Sequence, residues 1–270
     1  MLERLTLGST EVTVVCEGYA PLDLADELPN VDWTAERERY PWAFHDDRSS
    51  AWHVHAFALR TPAGLVLIDT GVSPLLPIQP WAEHTPLQDA LTAAGVDPVD
   101  VKTVILTHLH ADHAGGAVVA GEPRFPNAVH VVHPADWEHF GRAGGYTAWP
   151  AMERLAELDM LDLDPDDREI RPGLRVVHAP GHTPGHRCAI LSEGEGTALF
   201  TGDLLHMPVQ VRRSDEPSNH DVDGVEGARS RHGLLQRARE EGWDVAVSHF
   251  GHPFGRVGPD GWEPRTGPEG

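Results

Sequence analysis

Four metal-competent side chains crowd six positions in "THLHADHAGG", residues 107–116: His108, His110, Asp112 and His113. Neutral imidazole and carboxylate are the donors that zinc and its first-row neighbours prefer. On a regular strand His108 and His110 share one face. If the chain then turns into a loop, Asp112 and His113 project differently. Such a set suits two adjacent ions, with two ligands directed to each. Gly115 and Gly116 then let the backbone turn tightly. Four ligands are too few for two ions. Three more candidates stand at other strand-to-loop junctions: His182 in "APGHTPGH", Asp203 in "LFTGD" and His249 in "VAVSHFGHP".

The elements that must position these residues are readable from periodicity and turn residues. "VKTVILT" (101–107) is an apolar, β-branched run and predicts a buried strand that delivers the histidines at its C-terminal end. "WHVHAFALR" (52–60) and "LVLIDTG" (65–71) predict a strand pair, "AVHVVH" (128–133) another strand, and "GLRVVHAPG", "RCAILSE" and "TALFTGD" three more. "WDVAVSH" (243–249) is a last strand. Helices are predicted over 85–95, with Thr85 as N-cap, over 149–160, opened by Pro150, and over 224–242. Residues 20–50 are rich in Pro, Asp and Glu with little periodicity, and read as a surface excursion. The tail is expected to fray after about residue 265. Strand-rich halves with helices between them predict an α/β architecture, an αββα sandwich of two mixed sheets, in one domain over 1–270.

Composition bounds the partners. The 270 residues carry 42 acidic and 21 basic side chains, a formal net charge of -21, which repels nucleic acid and anionic membranes alike. No apolar run approaches the roughly 20 residues of a spanning helix. The charged N-terminus reads as mature protein, not a signal peptide. Cys16 and Cys188 lie in apolar contexts without a CxxC, so no disulfide framework is expected and a reduced, cytoplasmic setting fits. Eighteen histidines exceed what a core needs. His53, His55, His130, His133, His139 and His178 read as ordinary strand or surface histidines, and His186 and His252 as packing beside the motifs. Trp33, Trp42 and Trp52 are either pocket walls or core.

The four motifs, "THLHADHAGG", "APGHTPGH", "TGD" and "SHFGHP", with "LVLIDTG" upstream, resemble in type and order the metallo-β-lactamase-fold hydrolases. "GDLLHMPVQV" and "GRVGPDGWEP" are similar to the branch of methyl parathion hydrolase and the acyl-homoserine lactonases. The resemblance implies one metal on His108, His110 and His182, and a second on Asp112, His113 and His249. Asp203 would bridge the two. It implies two divalent ions, zinc by default with manganese, cobalt or iron as substitutes, and a bridging hydroxide that attacks a small ester, lactone or organophosphate triester. Asp112 and His206 are the candidate catalytic side chains. In lactonases of this family a tyrosine stands where this sequence has His206, so His206 either donates to the substrate or lines the pocket. Asp69 either orients a ligand histidine or forms a strand-end turn. The sequence leaves the oligomeric state open: relatives often pair, and 20–50 offers an arm for a homodimer.

Other branches depart from this pattern. The zinc β-lactamases have arginine where His113 stands and a cysteine ligand unmatched here, and the flavodiiron proteins have glutamate where His110 stands. Glyoxalase II carries an added helical domain for which there is little room after Asp203. No GxSxG occurs, which leaves a serine hydrolase unsupported. Two competing readings are a mononuclear iron persulfide dioxygenase, separable by its metal, and a non-catalytic metal-binding module, separable by turnover.

Overall fold

The computed structural model describes residues 3–28, 31–72, 80–143 and 148–265. Two mixed sheets face each other. The first runs in the order Arg4–Leu7, Thr10–Asp23, Ser49–Thr61, Gly64–Ile68, Val101–Ile105, Val129–Val132, Leu161–Leu163. The second runs Arg168–Arg171, Leu174–His178, Arg187–Glu193, Gly196–Phe200, Asp244–Ala246, Phe254–Gly258, Gly261–Pro264. Antiparallel pairing dominates. Parallel pairs join Gly64–Ile68, Val101–Ile105, Val129–Val132 and Leu161–Leu163 in succession, and Gly196–Phe200 to Asp244–Ala246.

Strand alternation explains three cores. Val66 and Ile68 point between the sheets, where Phe57, Phe200 and Phe254 meet, with ring centroids 5.4 and 5.8 Å from Phe57. Leu65 and Leu67 point the other way, under the helices Leu87–Ala93 and Trp149–Glu157. In the second sheet Ala189 and Leu191 face inward, while Cys188 and Ile190 face the helix Gly224–Glu241 through Leu235 and Ala238. Because both faces of these strands are buried, their sequences are almost continuously apolar. The αββα arrangement expected from the sequence is present.

One boundary needs correction. The helix foreseen over 85–95 starts at Leu87, with Pro86 rather than Thr85 at its cap. The described part of segment 20–50 continues the strand Thr10–Asp23, includes the helix Trp33–Arg39 and enters the strand Ser49–Thr61. Leu24, Leu28, Tyr40 and Ala43 bury themselves on the outer core of the second sheet, so this segment covers its own chain. The C-terminal tail beyond 265 lies outside the described residues.

His130, within Val129–Val132, is fully buried, and burial pushes its pKa down to about 4. The unfolded chain takes up this proton near pH 6.5 and the folded chain only near 4. Stability tied to His130 is therefore present at neutral pH and lost as pH falls from 6.5 towards 4, on the order of 1 kcal/mol per pH unit. His130→Phe should show a shallower decline in urea midpoint between pH 7 and 5. Equal declines in the two proteins would refute the assignment.

Candidate metal centre

The strand Val101–Ile105 ends just before the histidine run, and the short helix Ala111–Ala114 redirects Asp112 and His113. The turn needs one of the two glycines. A Cβ on Gly116 would come within 2.0 Å of the Thr70 carbonyl, whereas Gly115 has an ordinary helical φ of -68°. Gly202, with φ +51°, threads the chain past His186 and Thr107, each 2.8 Å from where its Cβ would stand. Asp203 follows at once.

The seven candidate ligands meet at one end of the sandwich. His108, His110, His182 and Asp203 form one cluster of ligand atoms within 4.8 Å of one another; Asp112, His113, Asp203 and His249 form a second. Asp203 belongs to both. Its Oδ1 lies 2.9 Å from His113 Nε2 and 2.8 Å from His249 Nε2. Its Oδ2 lies 3.2 Å from His182 Nε2 and 3.5 Å from His108 Nε2. Six of the seven side chains are buried, and His110 is half-buried.

The donor chemistry fits cations. His113 Nδ1–H donates to Asp69 Oδ2 at 2.8 Å, and His249 Nδ1–H donates to the His53 carbonyl at 2.6 Å. In the neutral imidazoles both Nε2 atoms would then face each other as lone pairs, 3.3 Å apart. Asp112 Oδ2, 2.9 Å from His113 Nε2, adds a third acceptor. Ligand atoms held about 2.0–2.1 Å from a tetrahedral zinc stand roughly 3.3 Å apart. Acceptors pressed this close repel unless positive charge lies between them.

Protonation tells the same story. Burial drives His108 well below the ordinary imidazole range and His110 down to about 3, so both are neutral. Burial opposes charge on His113 and His182 too. Yet Asp203, with Asp112 and Asp69, lifts His113 well above its usual value, and Asp203 with Asp221 lifts His182 to about 9. Each cluster thus draws in one positive charge.

Around the ligands, Thr107 Oγ1 donates to Asp69 and accepts from His108 Nδ1 at 3.1 Å. His186 Nδ1–H donates to the Ala179 carbonyl, and its Nε2 accepts the Asp203 N–H at 3.0 Å. His206 is buried, 3.3 Å from Asp203 Oδ2. Trp52 stacks on His249 with ring centroids 4.4 Å apart, while Trp33 and Trp42 pack with Phe44 and Phe250. His252 lies against Trp42. Sequence reasoning did not find the His53 carbonyl or Asp221, which lies 3.6 Å from His182 Nδ1 and is paired with Arg231.

Asp69 has a left-handed φ of 61° and holds three donors: Thr107 N–H, Thr107 Oγ1 and His113 Nδ1. In Asp69→Asn an amide N–H would face His113 Nδ1–H and favour the wrong tautomer. Metal affinity should fall 10–100-fold while the fold persists. Chelator competition measures this, and unchanged affinity would remove Asp69 from the role.

The family model of the metallo-beta-lactamase superfamily matches residues 50–248, which hold all seven of these ligands but the last. The chain belongs to that superfamily. Among superfamily relatives, an N-acyl homoserine lactonase from Bacillus sp. is 30% identical over 175 residues, 57% of this chain and 64% of that protein. The N-acyl homoserine lactonase AttM of Azorhizobium caulinodans is 30% identical over 179 residues, 63% of each chain. The chain thus matches somewhat under two thirds of the length of these relatives. AidC, a dizinc quorum-quenching lactonase solved with a product, superposes with a TM-score of 0.86 at 21% identity, covering 99% of this chain and 98% of AidC. The hydrolase AbOPH superposes at 0.84, also at 21% identity, covering 99% of this chain and 98% of AbOPH. At such identities the likeness is one of fold. Among the described residues no helix is long and apolar enough to cross a membrane.

Proposed function

We propose that this chain is a metal-dependent hydrolase, one domain over its 270 residues, that opens small lactones or cleaves related esters at a two-ion centre. The observation that carries the reading is the divided carboxylate of Asp203, whose two oxygens serve two separate ligand clusters. His108, His110 and His182 would hold one ion and Asp112, His113 and His249 the other, with Asp203 between the two groups. A donor set of imidazole and carboxylate suits zinc, and the dizinc AidC supports that choice. A bound pair of this kind supplies Lewis acidity and a water ionised near neutral pH.

The chain's own residues do the rest. Asp69, Thr107 and the His53 carbonyl orient His113, His108 and His249, so that these three rings turn Nε2 to the centre. His206 touches Asp203 and stands ready to meet the substrate. Asp112 turns one oxygen to His113. The N-acyl homoserine lactonases among the relatives support a lactone as substrate. A two-ion centre would also serve a phosphotriester, which is a second arm of the test.

The test is elemental analysis and a hydrolysis panel on one preparation. Two divalent ions per chain, and faster opening of N-acyl homoserine lactones than of phosphotriesters, are expected. One iron with oxygen uptake would replace this reading by a dioxygenase. A chain loaded with two ions but inert on every panel would be a binding module, and full activity after exhaustive chelation would end the metal reading.

A further inference from the structure

A third group of metal-competent side chains lies apart from those seven. Cys16, His53 and His55 bring one ligand atom each within 4.8 Å of one another. They come from one antiparallel pair, Thr10–Asp23 with Ser49–Thr61. Cys16 stands opposite His55, and the register breaks between Cys16 and Tyr19. His53 is two residues from His55, hence on the same face of its strand. That face continues the row of Phe57 and Leu59, which fills the space between the sheets. Val12 and Val14 lead to Cys16 in the same way on the partner strand. Two apolar rows therefore end, at the edge of the interlayer, in one thiol and two imidazoles.

The three residues are held in place but not satisfied. His55 is buried, and its Nε2–H donates to the Phe250 carbonyl at 3.0 Å. Its Nδ1 is thereby a bare lone pair, buried and without a hydrogen-bond partner. His53 Nδ1 is buried and unpartnered too. The two rings stack with centroids 5.3 Å apart. Cys16 Sγ accepts a hydrogen bond from Gly18 N–H at 3.3 Å. A buried acceptor left unmade costs about 1–3 kcal/mol, and two beside one sulfur ask for a shared partner.

We propose that Cys16, His53 and His55 form an additional metal site for a single thiophilic ion, Zn2+ or Cu+. Thiolate with imidazole selects such ions, whereas the seven-ligand centre contains no sulfur. Binding needs no redox change. The Cys16 thiol gives its proton to water as the sulfur–metal bond forms. The site also touches the larger centre, because the His53 carbonyl accepts the Nδ1–H of His249.

Co2+, titrated into chelator-stripped protein, is the probe. It replaces Zn2+ and reports thiolate ligation by a near-ultraviolet sulfur-to-cobalt charge-transfer band. The wild type should show the band and bind one more Co2+ than Cys16→Ser, which should lose the band and keep the remaining equivalents. Cys188→Ser should keep the band, since Cys188 is buried against the Thr201 carbonyl. His53→Ala, on the half-exposed side of the group, should weaken the sulfur-linked equivalent at least tenfold. Absence of the band in the wild type, or its survival in Cys16→Ser, would overturn the proposal. Loss of the sulfur-free equivalents would instead count against the two-ion centre, so the two failures are distinguishable.

Discussion

Replacing Asp203 by alanine should strip metal and abolish turnover together. Bound divalent metal is expected to fall to about one ion or fewer per chain, and the rate by at least a thousandfold, about 4 kcal/mol of barrier. Two divalent charges about 3.5–4 Å apart repel by roughly 20 kcal/mol at an effective dielectric near 20. Asp203 is the one carboxylate that belongs to both clusters, with an oxygen directed to each. Its backbone N–H remains on His186 in the variant, so the loop keeps its anchor. Asp203→Asn is the companion variant, because it keeps the shape and removes the charge. Elemental analysis and turnover on the same folded sample decide the matter. A variant that kept two ions and the wild-type rate would show that Asp203 bridges nothing.

The second large effect concerns His206. Its Nε2–H donates to Asp203 Oδ2, which leaves Nδ1 as a buried acceptor without a partner. Burial takes its pKa down to about 4, so the ring is uncharged at neutral pH. Gln210 Oε1 accepts from the backbone N–H groups of His206 at 2.6 Å and Met207 at 2.9 Å, which fixes this turn. A ring held so firmly, with one nitrogen unused, is suited to meet the reacting group. His206→Phe keeps the ring's bulk and removes both nitrogens. We expect kcat to drop on the order of a hundredfold, at unchanged metal content and with little change in KM. His206→Gln should recover part of the loss. An unchanged kcat would make His206 pocket lining.

The candidate site was legible because its proposed ligands stand where apolar strands end. The run 101–107 is β-branched and uncharged but for Lys102, so the histidines after it had to emerge at a strand terminus. The motifs at His182, Asp203 and His249 have the same form. The groups that orient these ligands carry no such mark. The His53 carbonyl is backbone, and Asp221 is one acidic residue among several in its loop. The strands Arg4–Leu7 and Thr10–Asp23 were not among those foreseen, and the second loses its register with Ser49–Thr61 between Cys16 and Tyr19. The anchors of segment 20–50 carry no mark either, because Leu24, Leu28, Tyr40 and Ala43 follow no single period. They reach the outer core from a strand end, a short helix and the turns between them.

The cluster His108, His110, Asp112 and His113 hangs from one sheet, while His182, Asp203 and His249 hang from the other. The gap across the centre is thus set by the thickness of the layer that Phe57, Phe200 and Phe254 fill. That layer works as a spacer in a vice. A change of ring size there would alter how far the two jaws stand apart and hence which ion radius the proposed centre would grip best.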